Sequence, residues 1–336
     1  MIIELKRGVS RVLAEAISLK YAAVILNNYN GRLIIVTSGK LKENELDESV
    51  RQLAERVVIT GSDIQLASRK FLTSKREIRI TDDLTIGGNS QNTLVITGPC
   101  SVESEKQIRA CAELCVQLGI KVLRAGAYKP RTSPYSFQGL EIKGLQLLDK
   151  IRSDYGLKII TEVKDGSHAE AVIEYADIIQ IGAKAMYDHS ILRACGKARK
   201  PVLLKRGFGS NLQEFVQAAE FILCGGNEQV ILCERGIRTF ENFTRFTLDL
   251  CGVSWLKENV NLPIVIDPSH AMGFAYGVPD LSRAAVAMGI DGLLIETHPN
   301  PAAALSDPAQ QLTFDQFKEL YGTLADVAKA IGYKIV

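Results

Sequence analysis

From Thr93 onward the chain repeats one unit eight times: a short β-rich run followed by a helical segment. The runs are TLVITG, KVLRAGA, LKIITEV, DIIQIG, PVLLKRG, QVILCERG, PIVIDPSH and DGLLIETH. Apolar runs this short read as buried strands, and the segments between them carry the periodicity of helices. SEKQIRACAELCVQLG after the first run and TFDQFKELYGTLADVAKAIG after the last both open on a residue whose hydroxyl can cap a helix. Each helix must return the chain so that the next strand runs parallel to the last. Eight such units in about 240 residues predict a closed (β/α)8 TIM barrel over residues 93–336. An open doubly wound sheet is the competing arrangement, but no GxGxxG fingerprint follows the first strand.

The chain before the barrel has another rhythm. MIIEL, a helical VSRVLAEAISLKY, AAVILNN, a turn at YNGR, RLIIVTSG, a helical KENELDESVRQLAERV and a last strand near DIQLAS give βαββαβ. That order predicts a small ferredoxin-like α+β domain over residues 1–70. Residues 71–92 read as a linker and a hairpin turning at Thr81-Asp82-Asp83, beneath the closed end of the barrel. Of the 336 residues 46% are apolar and 23% charged, enough for one large core and a smaller unit.

A net charge of +2 and the lack of a basic stripe interleaved with aromatics argue against nucleic acid as a partner. Any useful positive charge must be local, which favours small anionic ligands. MIIELKRGVS lacks the pattern of a secretory leader and no run approaches ~18 apolar residues, so the expectation is a cytoplasmic protein without membrane contact. Seven cysteines without a CxxC pair read as buried thiols, Cys111 and Cys115 among them, rather than as a disulfide framework.

A barrel keeps its chemistry where its strands end. There the sequence collects Cys100, Arg124 and Lys129, Glu162, Lys184, Lys205 and Arg206, Glu234 and Arg235, Asp267 and His270, and Glu296 and His298. Arg124, Lys129, Arg131, Lys184, Lys205, Arg206 and Arg235 would bring cations to one mouth of a nearly neutral protein, more than a single phosphate requires. The loop AYKPRTSPYSFQGL would lie over that mouth, with Pro130 and Pro134 restricting the backbone around its polar groups. A second chemistry is open to Cys100, His270, Glu296 and Asp307, whose thiolate, imidazole and carboxylates suit a divalent first-row transition metal better than Mg²⁺ or Ca²⁺. Spacing alone leaves Cys100 readable as a small structural residue, and His298 rivals His270.

GPCSVES, LRAGAYKPRTSPYSFQGL, QIGAK, LLKRGF, ILCERGIRTFE, IDPSH and LIETHPNPAAALSDPAQQL follow in order along the chain, one at each of seven strand ends. From about Phe71 to Val336 the sequence thereby resembles the 3-deoxy-D-arabino-heptulosonate 7-phosphate (DAHP) synthases of the type I-beta class, and residues 1–70 resemble the ferredoxin-like extension some of them carry. The resemblance implies condensation of phosphoenolpyruvate with erythrose 4-phosphate, the entry step of the shikimate pathway to chorismate and the aromatic amino acids. It assigns Arg124, Lys129, Lys184, Lys205 and Arg235 to phosphoenolpyruvate, with Lys129 also placed for proton transfer. It assigns Arg131, Thr132 and Ser133 to the phosphate of the aldose. It makes Cys100, His270, Glu296 and Asp307 ligands of a divalent transition metal such as Mn, Fe, Zn or Co, choosing His270 over His298, and counts Cys100 and His270 with Lys129 as catalytic. Glu162 and Glu234 remain candidates for orienting lysines or water. A homotetramer is implied, and residues 1–70 are expected to bind tyrosine or phenylalanine as an effector and to close over the mouth.

The chain departs from the family at Lys184-Ala185, where QIGAR followed by asparagine is usual: charge is kept and bidentate geometry is lost. Three alternatives stand beside this reading. The sister 3-deoxy-D-manno-octulosonate 8-phosphate synthases take arabinose 5-phosphate, but usually read Lys-Ala-Asn-Arg where this chain has Lys129-Pro130-Arg131-Thr132. A Schiff-base aldolase would use Lys205. A non-catalytic amino-acid sensor would not need all four metal-ligand types.

Overall fold

The computed structural model describes residues 1–27, 31–129 and 133–336. Tyr29 and Asn30 of the expected turn, and Pro130, Arg131 and Thr132 of the mouth loop, lie outside the described residues.

The small domain contains β1 (Ile2–Leu5), α1 (Arg11–Lys20), β2 (Val24–Asn27), β3 (Leu33–Val36), α2 (Glu48–Leu53) and β4 (Ala54–Val58). Its sheet has the order β2-β3-β1-β4, and every neighbouring pair is antiparallel. Alternation along the strands gives the sheet two apolar faces. Ile3, Leu5 and Ile35 pack with Ala14, Ile17 and Val50 of the helices. Ile2, Ile34, Val36 and Val58 face the other way and join the large core with Leu66 and Ala67. The fourth strand is not near DIQLAS, as the sequence reading has it, but begins where α2 ends. Ala54 serves as both C-cap and first strand residue, and nothing between the two elements breaks the helical pattern.

A two-stranded hairpin, β5 (Glu77–Arg79) and β6 (Thr85–Gly87), precedes the barrel. The barrel strands are β7 (Asn92–Gly98), β8 (Val122–Arg124), β9 (Lys158–Val163), β10 (Ile178–Ile181), β11 (Val202–Lys205), β12 (Val230–Glu234), β13 (Ile264–Ile266) and β14 (Gly292–Glu296). They pair in parallel in sequence order, and β14 closes the circle on β7 with Gly292 opposite Leu94 and Glu296 opposite Gly98. The principal outer helices are α3 (Glu105–Leu118), α4 (Ile142–Tyr155), α5 (Ala169–Tyr175), α6 (His189–Lys197), α7 (Leu212–Cys224), α8 (Leu250–Asn259), α9 (Pro268–Met272), α10 (Val278–Ala287) and α11 (Phe314–Ala330). A short strand β15 (Lys334–Ile335) pairs with the start of β7.

The period of two sorts the strand residues. Leu94 and Ile96 turn inward with Val122, Ile160, Ile178, Leu203 and Leu294, whereas Val95 and Leu123 turn outward toward the helices. Ile78, Leu84 and Ile86 of the hairpin segment belong to the inner cluster and plug the barrel from below. Burying three such side chains is worth about 1.5–3 kcal/mol each.

The small domain docks on the end of the barrel where the strands begin. Glu220, near the end of α7, accepts N–H bonds from Gln65 (2.7 Å), Leu66 (3.1 Å) and Ala67 (2.8 Å). Asn261, just before β13, donates to the carbonyls of Leu66 and Ser68. Within this chain the domain therefore lies away from the mouth that it was expected to close over.

Candidate active site

Polar side chains at and just beyond the C-terminal ends of β8 to β14 ring a pocket of about 600 Å³. Lys129, Lys184, Lys205, Arg235, Ser133, Glu162, His270 and Asp307 line it. Two glycines make room. A Cβ on Gly126 would lie 2.9 Å from Cδ of Lys129, and one on Gly182 would lie 2.1 Å from Oε1 of Glu162.

The inner cations are buried in a graded way. Arg124 ends β8 and donates from one nitrogen to the Pro99 carbonyl at 2.8 Å and to Glu296 at 2.7 Å, while its Nε finds no partner among the described residues. Lys129 donates to the Cys100 carbonyl at 3.2 Å. Burial works to discharge Lys129, but the Cys100 and Glu162 groups nearby outweigh it and raise its pKa. Lys205 ends β11 and pairs with Asp267 at 2.5 Å. Arg235 follows β12 and is buried, yet among the described residues its hydrogen bond goes only to the neighbouring Gly236 carbonyl. Lys184 follows β10 on a short 3-10 turn and is exposed at the rim.

Two expected cation and acid assignments change. Arg206 turns from the pocket to Glu234 and Asp249, both at 2.8 Å, and to the Ser210 carbonyl. Glu234, spent on Arg206 and on the Gly236 N–H at 2.7 Å, is its structural partner. Glu162 instead lines the pocket, held at 2.8 Å by Gln180. His298 is engaged by Glu103 at 3.3 Å and by the Asn300 N–H, so it is not available to the mouth.

Cys100, His270, Glu296 and Asp307 converge as two pairs. The Cys100 thiol lies 3.1 Å from Asp307 and 2.8 Å from the Ser306 hydroxyl. The Nε2 of His270 lies 3.6 Å from Glu296, and its Nδ1 lies 2.7 Å from Asp267. Burial, with Glu296 near, pushes the Cys100 thiol up to about 12. Burial also opposes ionisation of Glu296, but His270 and Arg124 outweigh it and lower its pKa. Among the described residues no three His, Cys, Asp or Glu side chains form a closed metal cage. The donor types nevertheless fit a transition metal: one sulfur, one nitrogen whose tautomer is set by a carboxylate behind it, and two carboxylates.

Several residues at the site take no role from the sequence, although Phe208, Arg238 and Gln310 fall inside the stretches LLKRGF, ILCERGIRTFE and LIETHPNPAAALSDPAQQL. Gln310 donates to Glu296 at 2.6 Å and accepts from Arg245 at 2.6 Å, and Arg245 also reaches Asp307 at 3.3 Å. Phe208, Phe246 and Arg238 complete one wall. Alternation and strand ends point to the inner cations, whereas these residues arrive on loops where neither signal operates. Among the described residues no helix is long and apolar enough to cross a membrane.

The sequence pattern of the DAHP synthetase I family matches residues 72–332. A phospho-2-dehydro-3-deoxyheptonate aldolase of Thermotoga maritima is 47% identical over 281 residues, covering 84% of this chain and 82% of that protein. A 2-dehydro-3-deoxyphosphooctonate aldolase of Syntrophotalea carbinolica is 35% identical over 256 residues, covering 70% and 91%. The crystal structure of a DAHP synthase from Thermotoga maritima superposes with a TM-score of 0.80 at 41% identity, covering 100% of this chain and 99% of the other. A truncated form of the Thermotoga maritima enzyme matches 82% of this chain and 100% of its own length, with a TM-score of 0.76.

Proposed function

The chain belongs to the DAHP synthetase I family, and on that premise we propose how its mouth carries out the condensation of phosphoenolpyruvate with D-erythrose 4-phosphate, with addition of water and loss of inorganic phosphate. The observation that carries the assignment is one pocket in which the buried cations Lys129, Lys205 and Arg235 meet, with buried Arg124 close to Lys129. A small substrate bearing a carboxylate and a phosphate suits such a set, because buried cations lose less of their attraction to solvent than exposed ones. Arg124, Lys129, Lys184, Lys205 and Arg235 hold phosphoenolpyruvate in this reading. Ser133, with Arg131 and Thr132 beside it in sequence, takes the aldose phosphate. Holding both substrates in register supplies much of the rate for carbon–carbon bond formation.

Lys129, with the carboxylate of Glu162 nearby, can hold a proton and lend it near the reacting carbons. Glu162, aimed by Gln180, orients the water that adds. Cys100, His270, Glu296 and Asp307 would hold a divalent transition metal, which when bound polarises the aldehyde oxygen of the acceptor. Asp267 fixes the tautomer of His270 and anchors Lys205 at the same time.

The octulosonate alternative falls back because the phosphooctonate aldolase named above is more distant than the Thermotoga maritima heptonate aldolase. A Schiff base at Lys205 would have to break the 2.5 Å ion pair its Nζ makes with the buried Asp267. Residues 1–70 remain proposed as a regulatory unit for tyrosine or phenylalanine in a cytoplasmic homotetramer. From where the domain docks, an effector would act by shifting its contact with Glu220. The test is turnover of phosphoenolpyruvate with erythrose 4-phosphate and with arabinose 5-phosphate, each with and without a chelator. Chelator-sensitive activity on erythrose 4-phosphate is expected; a clear preference for arabinose 5-phosphate would overturn the assignment.

A further inference from the structure

Arg235 presents a physical problem that the reaction alone does not resolve. The residue is 4% exposed and, among the described residues, forms no ion pair and hydrogen-bonds only the carbonyl of the next residue. A buried arginine without a carboxylate should fold away toward one, yet Arg235 stays at the pocket wall. What lies against it is aromatic. The guanidinium carbon is 4.1 Å from the ring centroid of Phe246, well within the ~6 Å range of a cation–aromatic contact. Phe246 stacks on Phe208 at 5.7 Å and 27°, and Phe208 carries Arg238 at 4.9 Å. Arg245 lies 5.9 Å from the ring of Phe246.

The backbone is shaped to bring this ring under Arg235. Ile237 and Thr247 exchange both N–H bonds at 2.9 Å, folding the loop after β12 back on itself. Gly236, at φ 90°, stands where a Cβ would lie 2.7 Å from Cβ of Phe246. The Phe246 N–H bonds the Ala271 carbonyl at 2.9 Å, tying the ring to the segment that bears His270. Three backbone features of two neighbouring elements, the loop after β12 and α9, thus set the contact.

We propose that Phe246, backed by Phe208, is a positioning residue that holds the Arg235 guanidinium flat at the pocket wall by its ring face, leaving the N–H edge of the guanidinium for an anionic group of the substrate. An aromatic face suits this task better than a carboxylate, because it stabilises the cation without occupying its donors. An acid in the same place would neutralise Arg235 and compete with the phosphate or carboxylate to be bound. The proposal rests on the assignment of Arg235 to phosphoenolpyruvate.

The test compares Phe246→Leu and Phe246→Tyr with the wild-type enzyme, by steady-state kinetics in both substrates and by calorimetric titration with phosphoenolpyruvate. Phe246→Leu should raise KM and Kd for phosphoenolpyruvate about tenfold, the size of a partly desolvated cation–aromatic contact, with kcat changed less than about twofold. Phe246→Tyr should restore values near wild type because the ring face returns. If Phe246→Leu does not fold, Phe208→Leu should show the same split at smaller amplitude, about threefold. Equal losses in kcat and KM, equal loss in the tyrosine variant, or unchanged phosphoenolpyruvate affinity in the leucine variants would overturn the positioning role. Wild-type protein that neither binds phosphoenolpyruvate nor turns it over would instead overturn the functional assignment beneath it.

Discussion

Replacing Glu220 by alanine removes a carboxylate from α7 and leaves the N–H groups of Gln65, Leu66 and Ala67 without their acceptor. All three residues are buried, so water does not readily stand in. An orphaned buried donor costs about 1–3 kcal/mol, and three of them, allowing for partial relaxation, about 3–6 kcal/mol, a large share of the ~5–15 kcal/mol that holds a typical protein folded. Glu220→Gln keeps one acceptor oxygen and should cost less. The two variants separate on pH. Burial pushes the Glu220 carboxyl up from its ordinary 4.5 to about 7, although the three N–H donors and Arg76 pull the other way. An acid whose pKa is raised on folding binds its proton more tightly when folded. Between about pH 4.5 and 7 the folded state is then the more protonated one, and stability falls as pH rises, by up to roughly 3 kcal/mol. Glutamine should flatten that slope. The assay is urea denaturation at pH 5, 6, 7 and 8, followed by the fluorescence of Trp255, the single tryptophan, which lies in a groove with Thr60, Ser68 and Arg69 at the junction. An alanine variant within about 0.5 kcal/mol of wild type, or a glutamine variant with the wild-type pH slope, would refute the reasoning.

Chelation should abolish turnover and a divalent transition metal should restore it, while Cys100→Ala should lose most activity and bound metal with the fold intact by circular dichroism; wild-type metal content in that variant would remove Cys100 from the ligand set. Lys184→Ala should lower kcat/KM for phosphoenolpyruvate roughly ten- to hundred-fold, the worth of one charge-assisted hydrogen bond, toward the lower end because Lys184 is exposed. Lys184→Arg should be mild, and equal losses in both substrates would place Lys184 outside the phosphoenolpyruvate site. Arg206→Met should destabilise the fold by about 3–5 kcal/mol by leaving Glu234 and Asp249 uncompensated, with little change in KM; a raised KM at unchanged stability would return Arg206 to the mouth.

The barrel was legible because parallel strands buried on both faces announce themselves as apolar runs, and because strand ends localise chemistry without any knowledge of side-chain direction. That rule fails where direction decides. Lys205 and Arg206 are neighbours at the end of one strand, and alternation sends the first to the pocket and the second outward to Glu234. The boundary between α2 and β4 escaped because AERVV continues the charged periodicity of the helix, and tertiary pairing with β1 overrides local preference from Ala54 onward. Phe208 closes the stretch LLKRGF and Phe246 lies in no such stretch, but neither could be given a role, since an aromatic on a loop reads the same whether it packs inward or faces solvent. Gln310 lies within LIETHPNPAAALSDPAQQL, but its role escaped for a related reason: an amide announces no chemistry until the carboxylate it orients is known.

The pairing of β14 with β7 bears on how the protein is made. The strand that closes the barrel begins 194 residues after β7 ends, counting from Gly98 to Gly292. At a synthesis rate of ~5–20 residues per second, a newly made β7 waits roughly 10–40 s for the neighbour that covers its open edge. Throughout that time the row of N–H and C=O groups along Leu94 to Gly98 faces whatever else is nearby, including the same strand of another nascent chain on the same messenger. Slow translation would lengthen this exposure and closely spaced ribosomes would raise the local concentration of like edges. Yield in overexpression should therefore depend on chaperone supply and induction temperature more than on the stability of the finished barrel.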